Sequence, residues 1–407
     1  MTPFLTWITL SRMGSGMAFM LWAASLPWIL SDWGLTASQA GLVQTVFNLA
    51  YAVSLLASAW AADRLGAGRI FSLANWAAAA VFLLCALCAR SFGTALPLFA
   101  LLALMLGGGY APSLMLASAD AERRGAAVGW TLAGSSMGYF LIIALAGVMI
   151  PRWGLELSWQ ALVAAPVFAA ICGQLAVRSS FAAPARPAPE TSAGPGGGLA
   201  EAFFSRSSLL LTGGYAFHCW ELLGMWAWAP AFLILALGAY GLEPLIVGGI
   251  AAAALHLTGA ASTLIGGFAS DRFGRRLVLI GLAAAGAACS FSFGWLGSLG
   301  AAVLVMAAAL YGFAVLGDSG VLTAAMADAV PPHLLGRMLA LRSISGFGAG
   351  ALAPVAFGAV LDLTNPGVGP PQTWGWAFSL LGLGGLGAAV CAWRLPKRAP
   401  SALEEIS

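Results

Sequence analysis

Charge is what this chain lacks most. Of its 407 residues, 8% are Asp, Glu, Lys or Arg, where a water-soluble protein carries roughly 25%. That is too little to clothe a surface that faces water, so most side chains must have lipid as their solvent. Lysine occurs once, at Lys397, and no basic run is present. The scarcity excludes nucleic acid as a partner. It also excludes a phosphate-binding G-x-x-x-x-G-K-[ST] loop, and with it ATP hydrolysis by this chain. No metalloprotease or nucleophile-elbow pattern occurs, so an enzyme is not expected. The six cysteines all lie in apolar runs and read as buried free thiols rather than a disulfide framework. Met13, Met17 and Met20 form a stripe in one run, and Cys85 and Cys88 a C-x-x-C in another. Soft-metal transport would use such ligands. Packing is the better reading of both, and neither a metal nor a cofactor is expected.

What the chain does have is apolar length. It is 60% hydrophobic, with a mean hydropathy of +0.90. A spanning helix takes about 20 apolar residues, and its backbone must satisfy its own hydrogen bonds. Twelve such stretches can be placed, at about 5–30, 40–61, 70–89, 95–117, 126–150, 159–177, 209–235, 245–268, 277–295, 300–327, 339–361 and 374–393. They are continuously apolar, unlike the alternating strands of a barrel. The first has no small-residue cleavage site and reads as an uncleaved span. Between the sixth and seventh, residues 179–207 hold a Pro-, Gly- and Ala-rich stretch that reads as a flexible linker. The expected organisation is a six-helix unit at 1–178, this linker, a second unit at 208–398, and a short tail at 399–407.

Arginine placement orients the spans. Arg64, Arg69, Arg123, Arg124, Arg178, Arg186, Arg206, Arg272, Arg275, Arg276, Arg337, Arg394 and Arg398 fall on one side if the spans alternate. The other side's loops carry Arg90 and Arg152. The positive-inside rule makes the first side cytoplasmic, with the linker and both termini. A multi-pass protein of a bacterial inner membrane, working as a monomer in the bilayer, is expected.

The two halves repeat. "AWAADRLGAGR" follows the second span and "GGFASDRFGRR" the eighth. Asp63 and Asp271, Arg64 and Arg272, Gly66 and Gly274, and Asp120 and Asp328 are each 208 residues apart (271 − 63 = 208). Parallel repeats of this kind build transporters that rock about a midplane site. On these residues the chain resembles the major facilitator superfamily over nearly its whole length. The family's loop motif, G-x-x-x-D-R-x-G-R-R, is matched at Gly267, Asp271, Arg272, Gly274, Arg275 and Arg276. The first copy departs from it, with Ala59 for the glycine and Arg69 alone for the arginine pair. The resemblance implies twelve helices in two pseudo-symmetric bundles. It also implies a cytoplasmic latch in the outward-facing state, with Asp63 at the N-terminus of the eleventh helix and Asp271 at that of the fifth. Asp120 and Asp328 would complete charge networks with nearby arginines. The fifth span reads Gly134, Ser135, Ser136, Met137, Gly138, without the proline of the family's proton-coupled drug exporters.

Ionisable groups in a bilayer are costly and usually face a pathway. His218 and Glu221 lie halfway along the seventh span, three residues apart and so on one face. A carboxyl that changes charge with one proton suits a proton carrier, and His218 is suited to relay the proton or hold an anion. A buried Glu–His pair that only fixes packing is the alternative. Trp220 stands beside them. His256 in the eighth span matches Asn48 in the second (256 − 48 = 208), which suggests two walls of one cavity, with Gln44 and Tyr51 on the side of Asn48. Asp318 and Arg342 are expected to pair and so lower each other's burial cost, with an anion-binding Arg342 as the alternative. Arg12 either snorkels to the cytoplasm or points inward.

These residues point to secondary active transport by alternating access. The favoured substrate is a small organic or inorganic anion moved with protons. Export of amphipathic compounds is the alternative, and a non-transporting membrane sensor a remote one.

Overall fold

The computed structural model describes residues 2–118, 124–180, 204–367 and 371–396, which are almost entirely helical and contain no strand. Among the described residues, eleven stretches are long and apolar enough to cross a membrane. One of them, Ala127–Ser179, is interrupted by Gly154 at φ 76° and ψ 168°. Gly134 and Gly138, before the interruption, meet Thr9 and Met13 in that order, and Ala169, after it, meets Ser11. The chain therefore reverses direction there, and the eleven stretches make twelve crossings.

In chain order, α1 is Pro3–Trp33, broken at Met20. Next come α2 (Ala37–Leu65), α3 (Ala67–Cys88) and α4 (Phe92–Ala117). Residues 124–153 form α5 and 155–180 form α6. The second half holds α7 (Arg206–Gly238), α8 (Pro244–Phe273), α9 (Arg275–Phe293) and α10 (Ala301–Ala329). It ends with α11, in two pieces, Pro332–Gly350 and Ala353–Thr364, and α12 (Gly375–Arg394). Helices α6 and α7 run into both ends of the expected linker, and residues 181–203 lie outside the described ones.

The duplication read from the loops is present in the backbone. Gly66 sits at φ 91°, ψ 130° between α2 and α3, and Gly274 at φ 87°, ψ 144° between α8 and α9. Each turns the chain within one residue, in a conformation that only glycine adopts without strain. Ser54 of α2 donates to the Leu104 carbonyl of α4, and Ser262 of α8, 208 residues on, donates to the Phe313 carbonyl of α10. Apolar side chains fill the interior of both halves. Large ones also stand outward, Leu264 at 68% and Phe268 at 76% exposure, which is the arrangement of a protein dissolved in hydrocarbon.

The halves meet mainly on the arginine-poor face. Helix α2 packs on α11 there, with Gly41 against the Pro354 carbonyl and Gly358 against that of Ala37. The Val355 amide donates to Thr45 Oγ1 at 3.2 Å. Helix α5 packs on α8 through Gly147 and Gly248, and the second part of α1 packs on α7. The first part of α1, nearer the arginine-rich face, makes no comparable packing with the second half among the described residues. The molecule is thus clamped on one face and parts toward the other.

Candidate functional site

Buried polar side chains gather inside each half and at the seam. In the second half, His218 of α7 turns to α10. Its Nδ1 lies 2.8 Å from Asp318 Oδ1, an ion-pair distance off the line of a hydrogen bond. Its Nε2 is 3.0 Å from Ser319 Oγ. Glu221, three residues on, turns to α9. Ser290 donates to its Oε1 at 2.6 Å, and Ser290 Oγ is also 2.6 Å from the Tyr311 hydroxyl of α10. Gly286 leaves room for the carboxylate, since a Cβ there would lie 3.2 Å from Oε2. The Glu–His packing pair, the alternative reading of these two residues, is therefore not made. Three helical residues leave about 60° between the two side chains, enough to send each to a different neighbouring helix.

The expected Asp318–Arg342 ion pair is not made either, because Asp318 is taken by His218. Arg342 of α11 donates through Nη2 to Thr323 Oγ1 at 3.0 Å, and its guanidinium lies 4.2 Å from the Tyr215 ring centre. Its Nε and Nη1 have no hydrogen-bond partner. In the first half, Arg12 points inward rather than snorkelling and is 4% exposed. It donates through Nε to Ser135 Oγ at 3.2 Å and lies 5.0 Å from the Tyr110 ring centre. Tyr51, Tyr110 and Tyr139 all stand within its electrostatic reach. Among the described residues neither arginine has a carboxylate within ion-pair distance. Tyr110 and Tyr215, on whose rings the two guanidiniums lie, belong to different halves. The placement is pseudo-symmetric. Arg12 and His218 are 206 residues apart (218 − 12 = 206), and their α4 and α10 partners Tyr110 and Asp318 are 208 apart (318 − 110 = 208).

The third place lies at the seam. Phe19, Gln44 and Asn48 of one half and Leu223 and Trp226 of the other line a cavity of about 10 Å³, room for a single water. Gln44 Nε2 donates to Asn48 Oδ1 at 3.1 Å. His256 sits in a π-turn, Ala253–Leu257, inside α8, with its ring centre 5.5 Å from that of Tyr139 and 6.1 Å from that of Trp226. Asn48 and His256 thus stand on opposite sides of the seam. Trp220 turns away from it. Its Nε1 donates to the Leu380 carbonyl of α12 at 3.2 Å, so it packs outside the path expected for it.

The loop motifs keep to their own halves. Asp271 and Asp328 both pair with Arg275, the latter at 3.3 Å. Arg276 donates to the Trp393 carbonyl. Arg272 lies over Phe273, and Arg64 lies 3.9 Å from the Trp60 ring centre. Asp63 and Arg69 are exposed, and Gly267 has open space where a side chain would stand. Among the described residues no hydrogen bond or ion pair joins Asp63 to α11 or Asp271 to α5. Asp120 lies outside the described residues.

Sequence reasoning missed the chain from Glu221 through Ser290 to Tyr311, since one serine among many gives no signal. It also missed Asp362, whose carboxylate accepts from the amides of Ala37 and Ser38 at 2.8 Å each and from the Ser38 hydroxyl. Among the described residues no three His, Cys, Asp or Glu side chains converge to hold a metal.

Comparison with known proteins agrees with this architecture. No curated protein sequence matches the chain. Solved structures of similar fold include the xylose transporter XylE from E. coli in its inward-open conformation, with a TM-score of 0.72, 16% identity and 98% of each chain covered. A bacterial homologue of the human lysosomal transporter Spinster, inward-facing and occupied, has a TM-score of 0.69 at 18% identity, with 96% of each chain covered. The nucleoside transporter NupG has a TM-score of 0.68 at 15% identity, covering 95% of this chain and 98% of its own. The sequence profile of the Major Facilitator Superfamily matches residues 8–353 and 245–406, and the chain belongs to that superfamily.

Proposed function

We propose that this protein is a secondary active transporter that moves a small anion together with protons by alternating access. The observation that carries the anion is the pair of buried guanidiniums. Arg12 and Arg342 come from different halves, neither has a carboxylate within ion-pair distance among the described residues, and two donors of Arg342 are unused. A buried charge left unpaired is costly, and an anionic substrate held between the halves would relieve that cost on both sides at once. Arginine suits the task, because its planar fork matches a carboxylate or phosphate in two parallel bonds.

Proton coupling rests on the neighbouring acids. Glu221 is buried, and its hydrogen bonds come from Ser290 and, through it, Tyr311. Asp318 faces Arg342 electrostatically while held by His218. Protonating one of these carboxyls changes the charge around Arg342, which links proton occupancy to anion affinity. Alternating access supplies the route. The halves close through α2–α11 and α5–α8 on the arginine-poor face and open toward the other, which the positive-inside rule makes cytoplasmic.

Flux in proteoliposomes tests the reading. Radiolabelled small organic acids, phosphate and sulfate are offered with and without an imposed pH gradient. Accumulation of an anion that depends on the gradient supports the proposal. Binding without flux would convert it to a sensor, and transport confined to amphipathic cations would replace it with efflux.

A further inference from the structure

Three polar atoms at the seam have no partner. They are Gln44 Oε1, Trp226 Nε1 and His256 Nε2. Gln44 is 6% exposed and His256 1%. Buried polar atoms in folded proteins nearly always find a partner, so each orphan needs a reason. Gln44 and Trp226 line the same cavity from opposite halves, and the His256 ring lies tilted beside that of Trp226, 6.1 Å between centres. The π-turn that carries His256 is a second, separate sign, because such turns are rare and cluster at functional positions.

The chemistry of the orphans is specific. Gln44 Oε1 only accepts and Trp226 Nε1 only donates. A single atom that serves both must donate and accept. An alcohol hydroxyl does so. A carbonyl or carboxylate cannot donate, and an ammonium cannot accept. The subsite also has a position relative to Arg12. Tyr51 of α2 stands within electrostatic reach of Arg12. Asn48 is three residues and Gln44 seven residues back along the same helix, a rise of about 4.5 to 10 Å.

Resting on the anion reading above, we infer that this seam subsite binds a hydroxyl of the substrate, which makes the substrate class a hydroxylated carboxylate of small size. Its carboxylate meets Arg12 and Arg342. Its hydroxyl, one or two helical turns away, donates to Gln44 and accepts from Trp226, with His256 beside them. The cavity of about 10 Å³ admits no more than a water-sized group in the present conformation, so the substrate that carries the hydroxyl enters when the halves separate there.

Matched pairs of acids that differ by one hydroxyl test this, malate against succinate and citrate against tricarballylate. Binding to the purified protein is titrated for the wild type, Gln44→Leu and Trp226→Phe. Thermal unfolding of each variant confirms that it is folded. The wild type should bind one hydroxy acid at least ~10-fold more tightly than its deoxy partner, since a polar site left unpaired rejects the analogue lacking the group. Both variants should lose that preference by weakening the hydroxy acid alone. Equal binding of both members of each pair, unchanged in the variants, overturns the subsite and leaves the anion reading standing. Binding of xylitol but of no acid, weakened in both variants, keeps the hydroxyl subsite and overturns the carboxylate. Absence of binding by all five compounds overturns the substrate class altogether.

Discussion

Asp362 reaches across the seam to Ser38. Its carboxylate, at the end of α11, accepts from the Ser38 amide and hydroxyl and from the Ala37 amide, which are the first donors of α2. These amides have no partner within their own helix, and a negative charge at a helix N-terminus is favoured. The contact joins the two halves on the arginine-poor face. It exists only while that face is closed, so it stabilises one conformation of the cycle and not the other.

Removing it should therefore shift the balance of conformations without unfolding either half. Charge-assisted hydrogen bonds contribute roughly 1.5–3 kcal/mol when buried, and Asp362 is only partly buried. Asp362→Ala is expected to move the closed-to-open ratio of the arginine-poor face by about tenfold, the equivalent of roughly 1.4 kcal/mol. Spin labels at Asp32 and Leu363, in a background without the native cysteines, measure the distance across this face. A distance distribution identical to that of the parent protein refutes the latch.

Helices α5 and α8 close the same face by a different means, which is the absence of side chains. A Cβ on Gly147 would lie 2.9 Å from the Gly248 Cα, closer than packed atoms tolerate. Gly147→Val should destabilise the closed arrangement by about 1–3 kcal/mol through overpacking and leave the separated one unaffected. The same label pair should report widening, and more of it when Asp362→Ala is added.

Much of the fold is legible in the sequence because hydrocarbon leaves few options. A backbone in lipid must be helical, and the recurrence of Asp63-Arg64 at Asp271-Arg272 exposes the duplication before any coordinate is known. The site is less legible, because its chemistry depends on rotation about helix axes. His218 and Glu221 are rightly placed on one face of α7, yet 60° of rotation, or about that, gives them to α10 and α9 separately. Asp318 lies within an apolar helix, and its partner is His218 and not Arg342. Asp362 was invisible for another reason. Its partners are two backbone amides and a hydroxyl 324 to 325 residues away, and every residue but proline has such an amide.

The arginines provide a direct test of substrate charge. Arg12→Lys and Arg342→Lys keep the positive charge and remove the planar five-donor fork. Arg342 stacks on Tyr215 and Arg12 on Tyr110, contacts that a lysine replaces only in part. Each substitution should weaken binding of the transported anion by at least ~10-fold, as expected for loss of a charge-assisted hydrogen bond. Thermal stability should change little, since a charge remains at each position. Unchanged affinity in both variants would assign the guanidiniums to packing alone.

Glu221 offers the sharpest separation of proton coupling from substrate binding. Glu221→Gln has the same shape and still accepts the Ser290 hydroxyl, so the Glu221–Ser290–Tyr311 chain survives. What it loses is the ability to take up and release a proton. Exchange of internal for external substrate needs no net proton movement and should persist in the variant at a rate near that of the parent. Accumulation driven by a pH gradient should fall to the level of passive equilibration. Ser290→Ala provides the complementary change, leaving the carboxyl titratable but without its donor, and should displace the pH profile of transport rather than abolish the coupling. If Glu221→Gln still accumulates substrate on a pH gradient, the proton is carried elsewhere, and the His218–Asp318 pair becomes the group to substitute next.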